Sequence, residues 1–493
     1  MLVSSLIKLK DISFQYNKSE DLALSNINLE IKKGEFICIT GSSGGGKTTL
    51  ALALCGFIPH IIEGRFKGQV NLKGYSTTEL TLAEISQLIG LVQQDPENQL
   101  VTSTPFEEIA FGPENLCLPR EKIYERVTKS LSIFNLESLA FRSINALSGG
   151  EKQQVAIASI LAMSPDILVL DEPTAFLDYQ NTKELLKVLN AINKNNEITI
   201  IVIDHQPYQF KEYLDRLIVI EKGQIIADQD SAALDYVPYM IPLQDLHMVQ
   251  QIEVKTPSKS IISIQNLNIR LNNHQILNDI SLNLKSGLVY GLIGPNGAGK
   301  TTFLQALLNL IPVGGSVIYN GEDISQISTH ELAYNFGLIF QNPNHQIFEN
   351  TVMNEILFAP RNFKQDLNLV YKRVESLISE AKLDQYPNRP PFSLSFGEKR
   401  RLNICSIDIY EPQLLLLDEP FIGQDSQKNS YLLKLLMRRK LSGKTTIIVS
   451  HRKELFDIVD YFFVLDKGKI LIEGNPKTIT DFFQKDDRGI FNE

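Results

Sequence analysis

The chain repeats itself. GSSGGGKTTL at 41–50 returns as GPNGAGKTTF at 294–303, and IPHIIEGRFKGQV (58–70) returns shortened as IPVGGSV (311–317). Beyond that point the copies run at one constant offset, pairing Gln94 with Gln341, Ser148 with Ser395, Asp171 with Asp418 and Glu172 with Glu419; His205 and His451 follow. A chain that carries one ordered set of landmarks twice is expected to fold as two like domains, and 493 residues is too long for a single ordinary core. Between the copies, 235–260 holds Pro238, Pro242 and Pro257 and no sustained periodicity, as a linker does. The expected organisation is a first domain over 1–238, a linker over 239–259 and a second domain over 260–493.

Short β-branched runs, FICIT (36–40), DILVL (166–170) and TIIVI (199–203), alternate with helical patterns. That order predicts an α/β fold in each copy, a mostly parallel sheet flanked by helices. The glycine-rich segments fall where strand passes into helix, so backbone N–H groups and a helix amino terminus can face an anion.

GSSGGGKT and GPNGAGKT both match G-x-x-x-x-G-K-[ST], the phosphate-cradling P-loop. Gly41, Ser42, Ser43, Gly44, Gly45 and Gly46 form one cradle, and Gly294, Pro295, Asn296, Gly297, Ala298 and Gly299 the other. Lys47 and Lys300 are placed to reach the β- and γ-phosphates, with Thr48 and Thr301 as Mg2+ ligands and Thr49 and Thr302 beside them in the nucleotide site. One such match is sometimes only a glycine-rich turn; two in register are not. The buried runs ILVLDEP (167–173) and LLLLDEP (414–420) deliver paired acids to the same edge. Asp171 and Asp418 suit the metal, and Glu172 and Glu419 suit the attacking water. Alone, an Asp-Glu pair after a strand is more often a solvated strand end, but order and repetition reverse that. His205 and His451 end a further apolar strand in each copy and fit a neutral imidazole near a γ-phosphate.

The net charge of −9 argues against a general nucleic-acid binder. Cys38, Cys55, Cys117 and Cys405 form no CxxC pair, which predicts reduced thiols and a cytoplasmic setting. No apolar stretch of about 18 residues occurs and the amino terminus lacks a signal-cleavage pattern, so the expectation is a chain that does not span a membrane.

P-loop, glutamine, LSGGE (147–151) or LSFGE (394–398), Asp-Glu and histidine, in that order, resemble the ATP-binding-cassette (ABC) ATPase family over nearly the whole chain. The resemblance implies two tandem P-loop NTPase domains, each with a helical subdomain, that bind ATP and Mg2+. It implies that Gln94 and Gln341 are Q-loop residues touching Mg2+ and the γ-phosphate, and that Asp178 and Asp425 belong to D-loops. Cassettes in this family pair head to tail, within one chain or with another copy. Ser148, Gly149 and Gly150, or Ser395 and Gly397, then face the ATP held by the opposite P-loop. Two departures stand out: Phe396 replaces the glycine of Gly149, and Leu271 stands where Tyr16 supplies an aromatic for adenine, leaving His274 as a substitute candidate.

The Q-loop segments GLVQQDPENQLV (90–101) and GLIFQNPNHQIF (337–348) are more narrowly similar to the ATPases of energy-coupling factor (ECF) transporters. Such ATPases power import of vitamins or transition-metal ions. That likeness implies an integral membrane T component, a substrate-binding S component, no nucleic acid, and a position peripheral to the cytoplasmic side of the cell membrane. Leu100, Val101, Ile347 and Phe348, beside Glu97, Glu107, Glu349 and Glu355, are expected to offer the surface for a T-component helix. Two alternatives are weighed. A tandem sugar-importer ATPase lacks the Gln-x-Pro-x-x-Gln pattern of Gln94–Gln99 and Gln341–Gln346. A tandem ABC translation factor carries a long basic helical linker, whereas this one holds only Lys255 and Lys259.

Overall fold

The structure is a computed structural model and describes residues 5–17, 21–42, 44–175, 177, 179–230, 259–271, 274–422, 426–450 and 452–485. The chain divides into two compact units, Met1–Ile241 and Pro242–Glu493. Apart from Lys259, the expected linker 239–259 lies outside the described residues, as do Ser43, Asp178, Asp425 and His451.

In the first unit a six-stranded sheet runs in the order Gln224–Asp230, Arg216–Glu221, Phe36–Thr40, Thr199–Ile203, Ile167–Asp171, Ile89–Val92. All neighbours are parallel except the first pair. Every residue of Phe36–Thr40, Ile167–Asp171 and Thr199–Ile203 is buried, as central strands covered on both faces require. Strand alternation divides their side chains between two cores. Phe36, Cys38, Leu168 and Leu170 join helices Pro105–Asn115, Arg120–Ile133 and Gly149–Ala162 in one cluster. Ile37, Ile39, Ile167 and Val169 join a second cluster, against a four-stranded antiparallel sheet. That sheet, in the order Leu24–Lys32, Ser5–Tyr16, Gly64–Leu72, Tyr75–Ser76, was not expected from the β-branched runs, although LIKLKDISF (6–14) carries the alternation of a half-buried strand.

The second unit repeats the plan. Its six-stranded sheet orders Phe336–Ile339, Leu414–Asp418, Thr445–Val449, Val289–Ile293, Tyr461–Asp466 and Lys469–Gly474, with only the last pair antiparallel. Helices Val352–Asn362, Leu367–Glu380 and Phe396–Asp408 cover one face. The antiparallel sheet contains Gly314–Tyr319 where the first unit has the longer Gly64–Leu72, so the residues missing from the second copy come out of a strand and its approach. In each unit the P-loop strand, the Asp-Glu strand and the histidine strand are close neighbours with one direction, so their carboxyl ends open on one edge. Among the described residues no helix is long and apolar enough to cross a membrane.

Candidate functional site

At that edge of the first unit the chain leaves Thr40 and turns through Gly41 to Gly46 into helix Lys47–Leu54. Glycine is required at position 41: φ is +142°, and a Cβ there would sit 1.9 Å from the carbonyl oxygen of Ile220. Gly294 repeats this against Leu465, also at 1.9 Å. Lys47 Nζ donates to the carbonyls of Gly41 at 2.8 Å and Ser42 at 2.9 Å, and Lys300 does the same to Gly294 at 2.6 Å and Pro295 at 3.1 Å. Both ammonium groups are buried inside their own loops, beside amide donors at a helix amino terminus. Gly44, Gly45, Asn296, Gly297, Ala298 and Gly299 complete the two loops.

The acids stand across from these lysines. Thr48 Oγ1 donates to Asp171 Oδ2 at 2.9 Å and Thr301 Oγ1 to Asp418 Oδ2 at 2.6 Å. Burial pushes the Asp171 carboxyl up to about 7, with the adjacent Glu172 adding to the shift. Burial also raises Asp418, and lifts Glu419 to about 7 against the pull of Lys300. Desolvated carboxylates beside a hydroxyl welcome a cation, so the donor set fits Mg2+.

Glu172 and Glu419 both adopt left-handed backbone, at φ 49° and 44°, and their N–H groups are held by the carbonyls of Ile203 and Val449. Gln94 Nε2 donates to Glu172 Oε2 at 2.7 Å, and His205 Nε2 lies 3.0 Å from Glu172 Oε1. The fold thus brings together Lys47, Thr48, Gln94, Asp171, Glu172 and His205 from four separate stretches of sequence. In the second unit Lys300, Thr301, Asp418 and Glu419 gather likewise, and Gln341 lies two residues past the strand Phe336–Ile339, which pairs with Leu414–Leu417.

Ser148 and Ser395 begin the helices Gly149–Ala162 and Phe396–Asp408. Each serine closes a capping box: Ser148 Oγ accepts from Glu151 N and donates to Glu151 Oε2, and Ser395 pairs identically with Glu398. Neither Gly149 nor Phe396 has positive φ. The substitution therefore costs no backbone donor, and Gly150 and Gly397 are buried in the same first turn. Tyr16 is half-buried with its hydroxyl 3.1 Å from Thr49 Oγ1; Leu271 is exposed, and His274 lies opposite it on the neighbouring strand.

The model of the ABC transporter family matches residues 24–175 and 277–422, more than half of the chain. The chain belongs to the ABC transporter family. Its two units are ABC ATPase domains, and the chain is an ATP-binding ATPase of a transporter. An ABC transporter ATP-binding protein of Methanosarcina mazei is 34% identical over 95% of this chain and 89% of its own length. YkoD of Bacillus subtilis, named for HMP/thiamine import, is 30% identical over 96% of this chain and 92% of its own. Among solved structures, cbiO1 of Clostridium perfringens, part of the ABC transporter complex cbiONQ, is 30% identical over 50% of this chain and 99% of its own, with a TM-score of 0.43.

Some of this ABC ATPase's site was not anticipated. Asp204, buried just before His205, accepts from Thr174 Oγ1 at 2.9 Å and from the Gln206 amide at 2.7 Å; burial and nearby Glu172 raise its carboxyl. The second cassette replaces this pair by Phe421 and Ser450, and Arg452 lies 5.6 Å over the Phe421 ring. Comparing IDHQ (203–206) with VSHR (449–452) would have shown the exchange.

The proposed docking surface needs correction. Ile347 is 5% exposed and belongs to the core. Glu355 is buried too, accepting from the amides of Phe348 and Glu349, as Glu108 does from those of Val101 and Thr102. Leu100 packs on the first core, and Glu97 is paired with Lys152. What reaches the surface is Val101, 67% exposed, Phe348, 59% exposed, and Glu107, with Phe111 and Phe358 near them in sequence.

Proposed function

We propose that this chain is the energy-coupling ATPase of an ECF-type importer for a vitamin or a transition-metal ion, bound from the cytoplasmic side to an integral membrane T component that works with an S component. The observation that carries the reading is the repeated Gln-x-Pro-x-x-Gln loop. Gln99 and Gln346 fasten each loop to the preceding strand, at the carbonyls of Leu91 and Leu338, both at 3.1 Å. Gln94 faces Glu172, and Val101 or Phe348 turns outward two residues past its loop. A helix pressed on those apolar side chains would push on the glutamine. The relative named for HMP/thiamine import supports the substrate class.

Within each site, Lys47 or Lys300 turns from its own carbonyls to the phosphates. Thr48 and Asp171, or Thr301 and Asp418, hold Mg2+, which neutralises phosphate charge. Glu172 or Glu419 orients the attacking water, with Gln94 and His205 fixing Glu172, and Gln341 and His451 taking those roles in the second cassette. In the head-to-tail pairing, Ser148 with Gly149 and Gly150 serves the Lys300 site, and Ser395 with Gly397 serves the Lys47 site.

Changing Val101 and Phe348 to aspartate is expected to abolish co-purification with the co-expressed T component and to leave ATP affinity within about twofold. Buried unpaired charge opposes docking by several kcal/mol, about 2–5. Wild-type recovery of the complex from the double variant, measured by affinity purification in detergent, sinks the docking surface.

A further inference from the structure

Arg400 stands where the first cassette has Gln153, inside the helix that follows each LSxGE segment. It has no exposed surface. One terminal nitrogen of its guanidinium donates to the carbonyl of Phe340 and the other to the carbonyl of Gln341. Asn403, also buried, donates Nδ2 to the carbonyl of Pro343 at 2.9 Å, and Lys399 Nζ reaches Asn344 Oδ1 at 3.0 Å. Successive side chains of one helix therefore hold the Q-loop from residue 340 to 344.

The first cassette is built otherwise. Gln153 is equally buried, yet neither atom of its side-chain amide has a partner among the described residues. Ala156 occupies the position of Asn403, and Lys152 pairs with Glu97 where Lys399 meets Asn344. A guanidinium buried against neutral carbonyls costs desolvation that those carbonyls only partly offset. In the second cassette the charges of Asp418 and Glu419 act on it as well. Arg400 thus ties the signature helix to the Q-loop within the field of the acid pair.

We infer that Arg400, with Asn403, is a positioning residue that fastens the backbone of Gln341 to the signature helix, so that in the second cassette Gln341 and Ser395 shift as one piece while Gln94 and Ser148 do not. The inference rests on Gln341 facing the nucleotide, as proposed above. A glutamine displaced by about 1 Å can lose about a hundredfold in rate, so a fixed Q-loop keeps this cassette's Gln341 in reach without the membrane partner.

Amide hydrogen exchange on the full, nucleotide-free chain tests the tie. Segment 338–346 is expected to exchange at least tenfold more slowly than 91–99. Arg400→Gln with Asn403→Ala erases the difference, and Gln153→Arg slows the first Q-loop. Equal rates in the unaltered chain, or a difference that survives Arg400→Gln with the sheet strands still protected, overturn the tie. If the double variant fails to fold, Gln153→Arg decides: a first Q-loop no slower than before overturns it. In a Glu172→Gln background, Arg400→Gln is expected to lower kcat for ATP at least tenfold with KM within twofold, and Arg400→Lys to recover part. Lost protection with unchanged kcat makes the tie merely structural and overturns the positioning role. An unchanged kcat in Gln341→Ala instead faults the assignment of Gln341, which the exchange arms do not depend on, and no arm needs a membrane partner.

Discussion

A chain carrying both Glu172→Gln and Glu419→Gln is expected to bind ATP as tightly as the unaltered protein and to hydrolyse it at least a thousandfold more slowly. Each glutamate directly follows a fully buried strand with its backbone pinned; Gln94 and His205 meet the Glu172 carboxylate, and the charges of Lys300 and Asp418 act on that of Glu419. Glutamine preserves size and the hydrogen bond from Gln94, but cannot accept a proton from water, a role worth about 10² to 10⁴ in rate. The single changes are expected to differ. In the head-to-tail pairing proposed above the LSGGE helix would serve the Lys300 site, so Glu419→Gln should remove more activity than Glu172→Gln. Because Phe396 retains helical backbone and the Ser395 capping box, the gap should be well under the about 3–4 kcal/mol of a lost donor, and Phe396→Gly should narrow it. Single-turnover ATPase assays check both, and equal losses with no response to Phe396→Gly show that residue 396 is neutral.

Lys47→Ala and Lys300→Ala are each expected to lower saturation binding from two ATP per chain to one. Each ammonium is already desolvated among loop carbonyls, at 2.6–3.1 Å, and needs only to exchange them for phosphate oxygens. Its removal leaves phosphate charge facing a buried loop without a counter-charge, at least a hundredfold in affinity or about 3 kcal/mol. Equilibrium dialysis reads the stoichiometry directly. One nucleotide per unaltered chain at saturation refutes the two-site reading.

The duplication was legible because glycine, lysine and acidic landmarks recur at fixed spacing, and their chemistry tolerates little drift. The parallel sheets followed from runs such as FICIT, whose burial on both faces leaves no polar position to confuse the pattern. Much less was legible where tertiary contacts decide. Ile347 and Phe348 are adjacent apolar residues after one loop, yet one is core and the other surface, because apolar character alone cannot tell which way the chain turns about the buried Glu355. Arg400 reads as one more basic residue in EKRR, and only the fold reveals that it reaches back some sixty positions to a pair of carbonyls. Thr174 with Asp204 was hidden for the same reason: two short polar residues acquire meaning when adjacent strands bring them into contact.

The two glutamates adopt a backbone shape that side chains with a Cβ avoid, at about 1–2 kcal/mol each. Glycine would relax that strain and would remove a buried carboxyl as well. Selection for a durable fold alone would therefore erase both residues, and a stabilising screen that ignores ATP turnover is expected to find Glu172→Gly and Glu419→Gly. That these positions hold glutamate marks them as places where conformational ease has been surrendered to chemistry.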